Sequence, residues 1–184
     1  MSTLGAGPEP ITLLRTKLHK PQVSPDLVLR PRLVELLHRG LDRKLTLICA
    51  PAGYGKTTLA CMWLQVCARP AAWRSLDEND SDLHVFLSYL VVAVQKVFPD
   101  ACPATQGLLR APHLPPLDHI VTILINEITE LPEAFILTLD DYHTIQHGTV
   151  HELVATLSDN LPRHAHLVLA SRVDPPWHLA SLRA

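Results

Sequence analysis

The stretch Ala50-Pro51-Ala52-Gly53-Tyr54-Gly55-Lys56-Thr57-Thr58 follows the apolar run Leu45-Thr46-Leu47-Ile48-Cys49. Its residue types and spacing suit phosphate chemistry. It matches the P-loop pattern G-x-x-x-x-G-K-[ST] at every defined position but the first, where Ala50 stands for Gly. A loop that leaves a buried strand and enters a helix N-terminus points successive backbone N–H groups into one concavity, which favours a phosphate chain. Gly53 and Gly55 would let the backbone approach those phosphates without an intervening Cβ. Lys56 would reach the β- and γ-phosphates, the Thr57 hydroxyl would ligate Mg²⁺, and Thr58 would lie near the α-phosphate. The plainer reading is a Gly-rich turn between any strand and helix. The Gly-Lys-Thr-Thr run in a strand–turn–helix context weighs against it.

A second set of residues fits the same chemistry. The apolar run 134–139 ends in Asp140-Asp141-Tyr142-His143, the Walker B pattern of acids at a strand's C-terminal tip. Ligands bind at that edge of open parallel sheets. Asp140 is expected to hold Mg²⁺ opposite Thr57, and Asp141 to polarise an attacking water. The alternative is a turn whose two acids cap the next segment. Further on, Leu169-Ala170-Ser171 leads to Arg172, a cation that could sense the terminal phosphate or stabilise transition-state charge. Its plainer role would be a surface pair with Asp174.

Composition narrows the class. The chain has 184 residues, 47% hydrophobic and 18% charged, which suits one α/β domain with a sizeable core. A formal net charge of −2 argues against a broad nucleic-acid or membrane surface, so no DNA-binding region is expected here. Cys49, Cys61, Cys67 and Cys102 lack C-x-x-C spacing and are expected to be reduced, buried thiols. The eleven histidines form no H-E-x-x-H pair and are expected mostly at the surface or at edges. Met1 to Pro10 does not read as a secretory signal, so none is expected, and Val85 to Val94 is too short to span a bilayer. A soluble cytoplasmic protein without membrane contact is expected. No Asn-Lys-x-Asp sequence is present to read guanine, so ATP is favoured over GTP.

The elements that must position these residues alternate between strand and helix. Residues 1–29 read as a proline-containing arm and 30–184 as one domain. Pro31 opens a short helix that stops at Gly40, and strand one is Leu45 to Cys49. Helix Lys56 to about Ala68, strand Ala71 to Leu76 and helix Asp82 to about Phe98 follow. Residues 99–116 hold five prolines and a glycine and read as a mobile loop. Helix Leu117 to Leu131, strand Ala134 to Leu139, helix Val150 to Leu161 and strand His166 to Ala170 complete the pattern. Apolar strands alternating with helices predict an open parallel α/β sheet flanked by helices.

Three segments together, Ala50 to Leu59, Asp140 to His143 and Leu169 to Pro176, resemble the ATPase domain of MalT-type regulators. These belong to the LuxR family, within the STAND class of P-loop NTPases. The stretch Thr16-Lys17-Leu18 with Pro21, then Val28 to Leu33, is similar to what precedes the P-loop there. Ala at the first P-loop position is usual in that family, so Ala50 is no departure from it.

The resemblance implies an AAA/STAND-like P-loop fold and an ATP/ADP switch with Mg²⁺, weak hydrolysis at most, and self-association. It also implies that Val28 to Arg30 lies against adenine. In this class the strand bearing the sensor Arg separates the Walker A and Walker B strands, and a fifth strand flanks the P-loop strand. Only four candidate strands occur here, so the last strand is expected to be lacking, and with it the winged-helix, sensor and helix-turn-helix regions. Strand Leu45 to Cys49 would then be an open apolar edge. A fragment, a decayed gene product or one half of a split regulator is expected rather than a complete switch, and the leading reading is the ATP-binding, weakly hydrolysing switch domain of a transcriptional regulator. The alternative is a non-catalytic interaction module that pairs with a full-length relative. A small-molecule kinase is a weaker reading, since no acceptor-site motif is evident.

Overall fold

Strand formation follows from four short runs rich in apolar residues. Leu45–Cys49 (β1), Ala71–Ser75 (β2), Phe135–Asp140 (β3) and Ala165–Ser171 (β4) form one parallel sheet in the order β1-β4-β3-β2. The computed structural model describes residues 12–23 and 28–177. The register pairs Leu47 with Leu169, Leu137 with Leu167, and Trp73 with Thr138. As the resemblance implies, β4, which leads into Arg172, lies between the P-loop strand and the strand ending in Asp140.

Parallel neighbours need crossovers, and helices supply them. They are Pro31–Arg39 (α1), Lys56–Val66 (α2), Leu83–Gln95 (α3), Pro103–Leu108 (α4), Leu117–Thr129 (α5) and Gly148–Asn160 (α6). Side chains alternate across a strand, so each central strand feeds two cores. Leu137, Leu139, Leu167 and Leu169 join Phe86, Leu90, Leu124 and Leu153 from α3, α5 and α6 on one face. Ile136, Val168 and Ala170 meet Leu37 of α1 and Leu59, Ala60 and Trp63 of α2 on the other. Each buried Leu, Ile, Val or Phe among them stabilises the fold by about 1.5–3 kcal/mol, and with layers on both faces β3 and β4 are buried along their whole length. Among the described residues, β1 has one strand neighbour, β4. Its Leu45 and Leu47 side chains are nevertheless packed against the core, so what this edge leaves open is backbone rather than an apolar stripe.

Several expectations are corrected. Residues 99–116 are not a bare loop, because they contain α4. Pro103 occupies its first turn, where the missing N–H costs nothing. The Ala104 and Thr105 N–H groups donate to the Glu127 carboxylate of α5 at 2.6 and 3.1 Å. Cys49 is exposed rather than buried, while Cys61 and Cys102 are buried. His166 is buried inside the sheet region, with Nε2 3.0 Å from Thr46 Oγ1 and Nδ1 2.6 Å from the Arg43 carbonyl.

The segment read as an arm also carries structure. A 3-10 turn at Arg15–Leu18 buries Leu18, and the Leu14 N–H donates to Tyr89 Oη at 2.9 Å. Lys96 Nζ of the α3 C-cap donates to the Leu18 carbonyl at 2.9 Å. One turn is too short to show periodicity, so its packing comes from these partners. No helix among the described residues is long and apolar enough to cross a membrane.

Candidate functional site

The P-loop is the connection from β1 to α2. Its first residue, Ala50, is held by an N–H bond to the Ser171 carbonyl at the end of β4, 3.2 Å. Gly53 and Gly55 adopt φ of +80° and +76°, the left-handed region where a Cβ is disfavoured. Gly55 is the N-cap of α2, and its carbonyl accepts from the Leu59 N–H at 2.8 Å. Two left-handed residues bend the chain enough to open α2 with its free N–H groups facing the loop's concavity.

Lys56 begins α2 and is buried, with Nζ donating to the Pro51 carbonyl at 3.2 Å. The ammonium is thereby folded back over the loop. Thr57 Oγ1 donates to Asp140 Oδ1 at 3.0 Å, so the first turn of α2 touches the tip of β3. Asp140 is 2% exposed and also accepts from the Asp141 N–H at 3.0 Å. Burial, reinforced by the Asp141 charge, pushes its carboxyl up to about 6 against the Thr57 and Asp141 hydrogen bonds and Lys56.

Asp141 is left-handed at φ +56°, an unusual conformation for a residue other than glycine. It opens a 3-10 turn, Tyr142–Thr144, whose end is fixed by the Thr144 N–H and hydroxyl donating to the Asp141 carbonyl, both at 3.0 Å. Its side chain is half exposed. A cavity of about 350 Å³ is lined by Gly53, Lys56, Thr57, Thr58, Asp141 and Arg172, with Ala52 and Gly55 completing it. The fold therefore brings the loop, the second acid and the arginine to one space.

A second cavity, about 250 Å³, adjoins the loop on its other side. Val28, Arg30, Thr58, Leu59 and Met62 line it together with Gly53 and Gly55. Arg30 Nη1 donates to the Tyr54 carbonyl at 3.0 Å, which ties the Val28 segment to the loop. Tyr54 and Val28 are themselves largely exposed. Pro51 contributes its carbonyl to Lys56, and neither Pro51 nor Ala50 lines either cavity.

Sequence reasoning gave no role to His143, although it quoted the residue within the acidic quartet. Its Nδ1 lies 3.9 Å from Asp141 Oδ1. Leu59 and Met62 lie on α2, and although Leu59 is buried, both line the second cavity. No group of three or more His, Cys, Asp or Glu side chains able to hold a metal occurs among the described residues.

No family model matches the chain. Curated relatives do. It is 35% identical over 169 residues to the HTH-type transcriptional regulator MalT of Vibrio cholerae, covering 91% of this chain and 18% of that protein. The MalT of Serratia proteamaculans is 33% identical over 171 residues, covering 93% and 19%. The chain thus spans about a fifth of the length of the curated relatives it matches. Among solved structures, it superposes on a Drosophila ORC structure bound to AT-rich DNA and Cdc6 with a TM-score of 0.52 at 10% identity, covering 83% of this chain and 50% of that one. The Cdc6p of Pyrobaculum aerophilum gives 0.51 at 15% identity, covering 88% and 44%. Along nine-tenths of its length, the chain is a relative of one segment of the MalT transcriptional regulators, and it has the fold of a P-loop ATPase domain.

Proposed function

We propose that the chain is an ATP-binding nucleotide switch of the STAND class, working as part of a MalT-like cytoplasmic regulator and hydrolysing ATP weakly at most. The observation that carries this reading is the 3.0 Å contact between Thr57 Oγ1 and Asp140 Oδ1, beside a cavity that Lys56, Asp141 and Arg172 share. Hydroxyl and carboxylate are the hard oxygen donors that Mg²⁺ prefers, and they already meet. Thr57 and Asp140 would hold the ion, with phosphate oxygens and water filling its remaining positions. When bound, Mg²⁺ would neutralise charge on the β- and γ-phosphates.

The protein's own residues do the rest. Loop N–H groups and Lys56 would bind the phosphates, with Lys56 exchanging its bond to the Pro51 carbonyl for the β- and γ-oxygens. Arg172 would contact the terminal phosphate, and Asp141 would orient the attacking water. The second cavity supports adenine: Val28, Leu59 and Met62 offer an apolar wall, and among the described residues none that lines it is an acid that could pair with guanine.

Calorimetric titration of Mg-ATP and Mg-ADP tests this. Micromolar binding that weakens at least tenfold in Lys56→Ala is expected, and equal affinity in the two proteins would overturn the assignment. A second reading, an interaction module that pairs with a full-length relative or another copy, is favoured by one observation: β1 has a strand neighbour on one side only among the described residues. Co-purification with a relative independent of nucleotide would support it, and its repeated absence would count against it.

A further inference from the structure

We infer that His143 is a positioning residue for Asp141, donating from Nδ1–H to the Asp141 carboxylate once nucleotide occupies the site. The inference rests on the nucleotide reading above. It starts from an unsatisfied group: His143 Nδ1 is buried and has no hydrogen-bond partner among the described residues. Buried ring nitrogens normally find one, because an unmade bond leaves the desolvation cost standing. The acceptor in reach is Asp141 Oδ1 at 3.9 Å, about 1 Å beyond hydrogen-bond length.

The local frame allows that gap to close on one side only. Tyr142, between the two residues, is buried, its Oη is hydrogen-bonded with His151 Nδ1 at 2.8 Å, and its ring meets Trp177 edge-on at 5.5 Å. Tyr142 therefore anchors the short turn and keeps the His143 backbone in place. The Asp141 side chain is 43% exposed while that of His143 is 16% exposed, so the acid is the partner that can swing. Its backbone is already set in the left-handed conformation, with the carbonyl held by Thr144.

Charge suits this role. Burial first, then the positive charges of Arg172 and Lys56, lower the His143 pKa, with Asp141 opposing. These influences favour the neutral imidazole, which donates through one nitrogen alone, so its tautomer matters. A neutral donor orients the carboxylate without cancelling the charge that Asp141 needs to polarise a water. Arg172 lines the same cavity as Asp141, so a fixed carboxylate would face the place where the terminal phosphate ends.

Two measurements on this chain test the proposal. In the first, Mg-ATP affinity and single-turnover hydrolysis are compared among wild type and the variants His143→Ala, His143→Gln and His143→Asn. The Asn amide nitrogen occupies the place of Nδ1, whereas the Gln amide nitrogen occupies that of Nε2. Affinity within threefold in all four proteins is expected, with turnover down about tenfold in the Ala and Gln variants and restored to within threefold by Asn. Equal turnover in all four, or Gln rescuing better than Asn, would overturn it. In the second, ¹⁵N NMR of the His143 ring is recorded with a non-hydrolysable Mg-ATP analogue bound, which needs no turnover. The Nδ1–H tautomer supports the proposal, and the Nε2–H tautomer overturns it. If wild type binds no nucleotide, the nucleotide reading itself falls, and the role of His143 falls with it.

Discussion

Thr57 Oγ1 donates to Asp140 Oδ1 across 3.0 Å, joining the first turn of α2 to the tip of β3 over a separation of 83 residues. The hydrogen bond sets the two oxygens side by side. Thr57→Ala removes the hydroxyl and should weaken Mg-ATP binding at least tenfold, while binding of ATP with Mg²⁺ chelated should change less than threefold. Thr57→Ser keeps the oxygen and should stay near wild type. Titrations with and without chelator check this, and equal losses in the two conditions would mean that Thr57 does not act through the metal.

Asp140 carries a pH dependence. Its folded pKa of about 6 lies above the ordinary 3.8, so the folded state holds a proton more tightly than the unfolded chain does. The stabilising contribution of that proton is complete below about pH 3.8 and is lost as pH rises through about 6. The ionised carboxylate therefore costs stability at neutral pH, on the order of 3 kcal/mol. Asp140→Asn should stabilise the ligand-free chain at pH 8 and lose that advantage at pH 4, while abolishing Mg²⁺-dependent binding. Urea denaturation across pH 4–8 reads the difference, and a gap between the two proteins that does not change with pH would refute it.

Glycine matters in this loop for its backbone rather than for space. A Cβ built on Gly53 meets nothing within 4 Å, and one on Gly55 comes no closer than 3.8 Å to Thr58 and 3.9 Å to Arg30. Both residues nonetheless sit at positive φ, where an L side chain costs about 1–2 kcal/mol. Gly53→Ala and Gly55→Ala should each destabilise by about that amount in urea. Gly148→Ala at the start of α6, where φ is ordinary and space is open, should be neutral or slightly stabilising.

What could be read in advance follows from where each constraint lives. The P-loop and Walker B patterns specify residue types at consecutive positions, so Gly53 to Thr58 and the Asp140-Asp141 pair stand out as candidates without any knowledge of partners. The strand alternation that fills two cores was legible for a similar reason, since its period is local. Other features depend on contacts that no local window contains. The helix α4 is only six residues long, and its N–H groups are satisfied by Glu127, more than twenty residues away. His166 looked like one scattered histidine because its partners, Arg43 and Thr46, precede it by more than a hundred residues. His143 was legible as a letter of a motif but not as a neighbour of Asp141. That required the left-handed turn, which brings the two side chains together.

Arg74 is the same kind of hidden residue, and it supports the site from beneath. In β2 it reads as an ordinary polar position, yet it is wholly buried, ion-paired with Asp80 and stacked on the Tyr89 ring at 4.1 Å. Its Nη1 also donates to the Phe86 carbonyl at 3.1 Å. Burial lowers its pKa to about 10, with Asp80 as the main opposing influence. Lys17 adds a second cation to Asp80 at 3.1 Å and reaches Asp77 at 2.6 Å. The next residue of β2, Ser75, is the register partner of Asp140, and the Leu76 N–H donates to the Asp140 carbonyl at 2.9 Å. The network therefore sits one residue from the strand tip that carries Asp140, the acid proposed to hold Mg²⁺. Asp80→Ala should destabilise the chain by about 3–5 kcal/mol, because it leaves a buried guanidinium without its counter-charge. Arg74→Met combined with Asp80→Asn removes both charges and should lose less than Asp80→Ala alone. Lys17→Met leaves Asp80 paired with Arg74 and should cost less than Asp80→Ala. Denaturant midpoints of the three variants decide it: a double variant weaker than Asp80→Ala would show that the pair stabilises by its own attraction rather than by compensating a charge already buried.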